Sequence, residues 1–417
     1  MMNSNTSIKK NMLYNTIGSL IYYACQWFMS VVIVRTSGYE AAGILSLAMS
    51  VTSSPALVAL FNIRGYQVSD IENRYSDLAY VSSRHVSNAI GYFLCFITVL
   101  IGSYNLEKSI AIMIFMILKV IEGYADVYYG IEQKCNRLDY SGISMGLRGF
   151  GTIIPFLLVL CVWDNVIIAL FVVCLVNLII LVLWDIRLVY RDMIGAVSES
   201  SNQVWSQVKS LLITCYPLAI VAFFNALSVN VPKLAFEKYF GSEAMGYYSS
   251  VASPTLVVQL AATTIFAPLV TPMTEAFVAK DKSRFFKICK KFSLMVAVLV
   301  IVMLIGSKLL AHWGLVLLFG EGIEPYVYLF IPVIIVSTLM AIQSVLYGVG
   351  TLVRAIKSQY LIVLAAMLVA ALSSVTIVKE FGMNGLVIAL ALTQIITIMV
   401  QLIIIAKKLK ENWQVNE

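Results

Sequence analysis

About twelve apolar stretches, each roughly twenty residues long and separated by short polar segments, recur along this chain, and each is long enough to cross hydrocarbon as a helix. They fall at 12–34, 41–61, 86–104, 108–127, 143–161 and 165–184, then at 211–231, 246–267, 292–312, 325–345, 358–377 and 384–405. With 60% hydrophobic residues, 12% charged residues and a mean hydropathy of +0.89, the chain lies outside the range of soluble domains. It therefore reads as an all-α integral membrane protein. Lys9 and Lys10 precede a first stretch that is too long for a signal-peptide core and has no small-residue cleavage site, so it is expected to be retained as a membrane helix. The seven cysteines have no metal or redox spacing and read as small apolar residues.

The segment SGYEAAGILSLAMS at 37–50 returns without a gap as FGSEAMGYYSSVAS at 240–253. Gly38, Glu40, Ala41, Gly43, Ser46 and Ser50 match Gly241, Glu243, Ala244, Gly246, Ser249 and Ser253. Each copy joins the first two spans of its half, which points to internal duplication. The chain divides accordingly into an N-terminal six-helix bundle at 1–190, a linker at 191–210 that includes the polar run SESSNQ, and a C-terminal six-helix bundle at 211–417, pseudo-symmetric with the first. Glu40 and Glu243 suit the N-terminal end of the span that follows each turn.

Cations near span ends orient the chain, because cationic loops resist translocation. Placing both termini in the cytoplasm leaves Arg64, Arg74, Arg84, Arg148, the 280–291 cluster, Arg354 and Lys407 to Lys410 inside, and few cations besides Arg35 and Lys233 outside. The net charge of +7 is thus a bias of the cytoplasmic face and gives no reason to expect nucleic acid. Trp163, Trp184, Trp313 and Trp413 fall at span ends, where an indole suits the interface. Because both halves begin on the same side, the repeat is parallel.

No nucleotide-binding loop, catalytic site or metal-ligand spacing is present, and His85 and His312 stand alone. Polar and charged residues inside spans are the functional candidates. Lys119, Glu122 and Asp126 share one narrow sector of the fourth span. Facing lipid would cost roughly 2.5–3.5 kcal/mol per charge, far more than a pair three residues apart recovers, so the sector points into protein or water. Two roles stay open: an ion-pair network between helices, or a lining that meets substrate or a coupling ion. Asn15, Ser19, Tyr22, Gln26 and Ser30 form a polar stripe on the first span, and Asn225, Ser228 and Lys233 form a shorter one on the seventh. The halves differ at Gln26 against Val229 and at Ser30 against Lys233. For Arg64, Arg148 and Arg354, anchoring or snorkelling at the cytoplasmic face is the simplest role. The run KDKSRFFKICKKF at 280–292 puts Lys280, Arg284, Lys287 and Lys291 on one face, as expected of an interfacial amphipathic helix drawn to anionic membrane lipid.

The six-plus-six arrangement, the repeated turn, NIRGYQVSDIENRYSDLAYVSSRH at 62–85 and KVIEGYADVYYGIEQKCNRLDYSGISMGLRG at 119–149 resemble the polysaccharide transporter family of the MOP superfamily, the Wzx-type lipid-linked oligosaccharide flippases. That resemblance implies two six-helix bundles and a cationic lining for the pyrophosphate of an undecaprenyl carrier. Arg35, Arg64, Arg148 and Lys233 are the candidates for that lining, with Lys119, Tyr22, Gln26 and Asn225 as further substrate contacts. Glu122 and Asp126 are the candidates for an ion pair or a coupling ion. The first, second and eighth spans carry no charge at mid-depth, a departure from a strongly cationic centre.

A pyrophosphate-linked oligosaccharide cannot cross hydrocarbon unaided, because its hydroxyls and anionic head would be desolvated together. Two bundles that alternately open to either side solve this without covalent chemistry or a bound cofactor. Proton, sodium ion or membrane potential remain open as the driving force, and a polysaccharide polymerase as a partner. The expected location is the cytoplasmic membrane. A cation-coupled multidrug antiporter of the same fold is the first rival, and Glu122 and Asp126 keep it in play. A membrane polymerase or ligase is the second, although every outer loop is short for an enzyme of that kind.

Overall fold

The computed structural model describes residues 8–70, 72–193, 200–266, 269–353 and 356–414. The chain forms two compact units, Met1–Ala226 and Leu227–Glu417. Eight helical stretches are long and apolar enough to cross a membrane, and three of these run for 60, 66 and 54 residues. A straight helix of 53 residues, the length of α1 (Ile8–Leu60), would measure about 80 Å against about 30 Å of hydrocarbon, so it must bend. Each of the three long stretches contains a glycine with positive φ: Gly38, Gly241 and Gly382. With these crossing twice, and with α4 (Leu106–Lys134), which carries too many charges to pass on composition alone, the number of spans is the expected total of about twelve.

Backbone geometry explains the repeated turn. Gly38 has φ 83° and ψ −175°, and Gly241 in α8 (Ser201–Ala252) has φ 85° and ψ 175°. This region is open almost only to glycine, so the same residue is required at the same point of both halves. Glu40 and Glu243 follow in the first turn of each second limb, both exposed, and Tyr247 Oη donates to Glu243 Oε1 at 3.3 Å.

In the first unit, the first limb of α1 lies backbone to backbone on α5 (Leu138–Trp163). A Cβ on Gly18 would stand 1.9 Å from the Gly142 carbonyl oxygen, and one on Gly142 would stand 2.3 Å from that of Tyr14, so neither position accepts a side chain. A short helix, α2 (Ile63–Ser69), leads to α3 (Asp77–Gly102), whose N-cap Ser76 accepts from the Ala79 N–H at 3.2 Å. Segment 62–85 is therefore mostly helical, in Ile63–Ser69 and from Asp77 onward. Asp70 organises the connection between these helices, accepting from the Arg74 N–H at 2.9 Å, the Tyr75 N–H at 3.2 Å and Tyr80 Oη at 2.8 Å. Burial alone would raise the Asp70 carboxyl, but these three hydrogen bonds outweigh it and hold the group below the usual carboxylate range. The start of α8 clasps the same connection: Gln207 Oε1 accepts from the Ser76 N–H at 2.8 Å, and Ser210 Oγ lies 3.0 Å from Tyr75 Oη.

The unit is completed by α6 (Val166–Ile180), which passes through a π-helical turn at Leu181–Ile186 into α7 (Arg187–Asp192). Of the 191–210 segment, residues 194–199 lie outside those described, and α8 is already helical from Ser201.

The second unit contains the rest of α8, then α9 (Leu256–Phe266), α10 (Val270–Val278), α11 (Lys282–Phe319), α12 (Phe330–Leu352), α13 (Ile356–Ser373) and α14 (Lys379–Gln414). Met273, Phe285, Val345, Val349, Ile405 and Leu409 form an apolar core there. The basic run at 280–292 is not a separate interfacial helix. Residues 282–292 form the first turns of α11, a single helix of 38 residues that continues into the span, with Asp281 capping it by accepting from the Arg284 N–H at 2.8 Å. Trp163 and Trp313 are exposed, as interface anchors require, whereas Trp184 turns inward and donates to the Tyr140 carbonyl at 3.3 Å. Arg354 and the side chain of Trp413 lie outside the described residues.

Candidate functional site

The polar face of α4 is the centre of a network that ties together four helices of the first unit, α1 to α4. Glu122 uses both oxygens: Oε2 accepts from Lys119 Nζ at 2.7 Å, and Oε1 accepts from Tyr22 Oη of α1 at 2.8 Å. One turn further on, Asp126 accepts from Arg84 Nη2 of α3 at 2.9 Å and from Arg64 Nη1 of α2 at 3.4 Å. Arg64 also donates to Gln133 Oε1 at 3.2 Å and lies over the Tyr129 ring. The three charges of the fourth span thus share a sector, as expected, but divide between two sets of partners. Lys119 and Glu122 engage α1, while Asp126 engages α2 and α3.

A second layer is more deeply buried. Arg148 of α5 and Asp185 of the π-helical turn pair at 2.7 Å with side-chain exposures of 2% and 0%. Arg148 also contacts Asn177 Oδ1 at 3.4 Å, and Asn177 donates to Thr152 at 3.1 Å. Ser141 donates to Glu132, and Tyr129 Oη lies 2.8 Å from Ser144 Oγ. Exposure separates the two layers. Lys119 and Glu122 are 26% and 22% exposed, and Arg64 and Asp126 are 28% and 23% exposed, so only this outer layer can exchange a partner for a ligand.

Cytoplasmic snorkelling does not describe Arg148, because its guanidinium is committed to Asp185 inside the unit. The same correction applies to Arg84. Placed by sequence among the loop cations, it is wholly buried and donates to the Ala59 and Leu60 carbonyls at 3.0 and 2.6 Å, satisfying the C-terminal end of α1.

The other sequence candidates are more scattered. Gln26 is half-buried on the stripe of α1, with an amide nitrogen that has no partner among the described residues. Ser19 of that stripe bonds the Asn15 carbonyl and Met145 Sδ. Arg35 is exposed near the Gly38 turn. Asn225 and Lys233 are half-buried on α8, and Lys233 makes no ion pair among the described residues. Sequence reasoning missed Arg84, Glu132, Asn177 and Asp185. All but Asn177 sit where a span was taken to have ended, so the signal available was their helical register with the charges already noted.

No family model matches the chain. Among solved structures, an inward-facing multidrug resistance MATE family transporter of the MOP superfamily superposes with a TM-score of 0.69 over 98% of this chain and all of that one, at 10% identity. The chain shares its fold with that transporter. The lipid II flippase MurJ, in an inward closed conformation, shares the fold with a TM-score of 0.65, 11% identity and coverage of 97% and 90%. In sequence, a Staphylococcus aureus protein described as capsular polysaccharide biosynthesis protein CapF is 25% identical over 315 residues, 75% of this chain and 77% of that protein. The resemblance to polysaccharide transporters read from the repeated turn and from 119–149 is thus joined by a relative matched over three quarters of the chain. The polar face of α4 is built from residues of one unit alone.

Proposed function

We propose that this protein is a flippase that moves an undecaprenyl-pyrophosphate-linked oligosaccharide repeat unit from the inner to the outer leaflet of the cytoplasmic membrane by alternating access, for assembly of a surface polysaccharide. The observation that carries this reading is the capsular polysaccharide relative, whose match spans 77% of its length. The fold shared with MurJ, a lipid II flippase by name, supports a lipid-linked substrate. The flippase performs no covalent chemistry; its work is to replace the hydration of an anionic head and its sugars during passage.

Arg64 and Lys119 are the cations suited to meet the pyrophosphate. The Arg64–Asp126 contact is long at 3.4 Å, and Asp126 keeps Arg84 at 2.9 Å, so an incoming phosphate can take Arg64 without stranding the carboxylate. Lys119 can exchange in the same way, because Glu122 retains Tyr22. Lys233, Arg35, Gln26, Tyr22 and Asn225 remain candidates for contacts with phosphate or sugar. Arg148 serves as a structural cation.

A multidrug antiporter is the second reading, favoured by the TM-score of 0.69 to a MATE transporter. Against it, Glu122 and Asp126 are both engaged by cations and so are poor receptors for a cationic drug. Purified protein in liposomes distinguishes the two. Movement of a polyprenyl-pyrophosphate oligosaccharide between leaflets is expected; efflux of organic cations without it would establish the antiporter.

A further inference from the structure

One carboxyl of the first unit differs from all its neighbours. Glu132 of α4 is 0% exposed and accepts a single hydrogen bond, from Ser141 Oγ in the first turn of α5. Its other oxygen, Oε1, has no partner among the described residues. Every other acid in this network is held by a cation: Glu122 by Lys119 at 2.7 Å, Asp126 by Arg84 at 2.9 Å and Asp185 by Arg148 at 2.7 Å. Glu132 makes no salt bridge among the described residues.

The charged groups around it offer no relief. Asp185 and Asp139 add negative charge, although each has its own arginine, Arg148 and Arg137. The nearby cation Arg64 is engaged with Asp126 and Gln133. On α4 itself, Tyr129 is occupied by Ser144. An ionised carboxylate removed from water, with one hydroxyl as its only donor, lacks the compensation that buried charge requires. A bound proton removes the charge.

We propose that Glu132 is a proton-binding site at the junction of α4 and α5, occupied at neutral pH. Its ligand needs no coordination shell, which suits a pocket holding one carboxyl and one hydroxyl. Glu122 and Asp126, the acids first suggested by sequence for a coupling ion, are already neutralised by their cations. Coupling of the Glu132 proton to substrate movement rests on the flippase reading; the site itself does not.

Infrared spectra of the full-length protein in lipid at neutral pH test the site, because every ordinary carboxylate is then ionised. A protonated-carboxyl C=O band is expected in the wild type, lost in Glu132→Gln and shifted in frequency in Ser141→Ala, which removes the donated hydrogen bond. A wild-type spectrum without such a band, or a band indifferent to both substitutions, overturns the proposal. If E132Q fails to fold, the S141A shift decides alone. In liposomes, the expected E132Q phenotype is oligosaccharide movement that no longer responds to an imposed pH gradient. Wild-type movement indifferent to that gradient overturns the coupling, whereas no movement at all in the wild type counts against the flippase reading and leaves the infrared result to judge the site.

Discussion

The two units place their glycine turn at the same point but fill their interiors with different chemistry. Among the described residues, the first buries Asp70, Arg84, Glu132, Arg148 and Asp185, whereas Glu237 is the one acidic or basic side chain buried in the second. The second unit buries amides and hydroxyls instead, including Gln343, Gln359, Gln394, Gln401, Thr393 and Thr397. The ion pairs Arg284–Glu275, His312–Glu324 and Lys408–Glu411 there are all exposed by 37% or more. A shared scaffold therefore does not imply shared work. The turn repeats because the backbone demands it, while the buried charges concentrate in one half, which also holds Arg64, Lys119 and the proposed proton site at Glu132.

The sharpest way to break this contrast is at its deepest pair. Arg148→Ala leaves Asp185 buried and uncompensated and is expected to cost about 3–5 kcal/mol, read as loss of folded protein in thermal unfolding. Arg148→Met with Asp185→Leu should recover most of that loss. The matched probe in the second unit, Gln401→Leu, should change stability little, because neither polar atom of that amide has a partner among the described residues. A large loss there would end the contrast.

Next in size come the outer-layer charges. Lys119→Ala removes a charge-assisted contact of about 1.5–3 kcal/mol and should slow oligosaccharide movement roughly tenfold or more while protein level holds. Equal losses of level and transport across Lys119→Ala, Glu122→Ala and Asp126→Ala would instead mark the face of α4 as purely structural. The turns should respond alike: Gly38→Ala and Gly241→Ala each force a side chain into a glycine-only region at roughly 1–3 kcal/mol. A strong effect at one and none at the other would show that the repeat is not equivalent in energy.

The Asp70 connection has a pH signature confined to the first unit. Its carboxyl is held below its unfolded value, so its stabilisation is fully present above that unfolded value and is lost as pH falls through the folded one. Asp70→Asn should flatten this acid limb in pH-dependent thermal unfolding. The smallest effects belong to the exposed pairs of the second unit, where Arg284→Ala or Lys408→Ala should change stability by at most about 1 kcal/mol.

Much of this architecture was legible in the linear chain. Apolar length predicted the spans, and the recurrence of Gly38 as Gly241 marked the turn whose φ and ψ the structure now supplies. The sector of Lys119, Glu122 and Asp126 was visible as well, because helical periodicity places these residues on one face wherever the helix packs. Their partners were not visible. Arg84 and Asp185 looked like residues beyond the ends of spans, yet α3 begins at Asp77 and the sixth helix runs on through a π turn to Asp192, which carries both charges into the interior.

By itself, then, the sequence determined that this chain spans a membrane as helices and is doubled, since hydrocarbon thickness and backbone sterics act on local composition and on single glycines. Only the tertiary structure decided which charges neutralise each other and that Glu132 has no ion-pair partner among the described residues. Pairing is a matter of distances of 2.7 to 3.4 Å between residues up to 62 positions apart, and no local pattern encodes those distances.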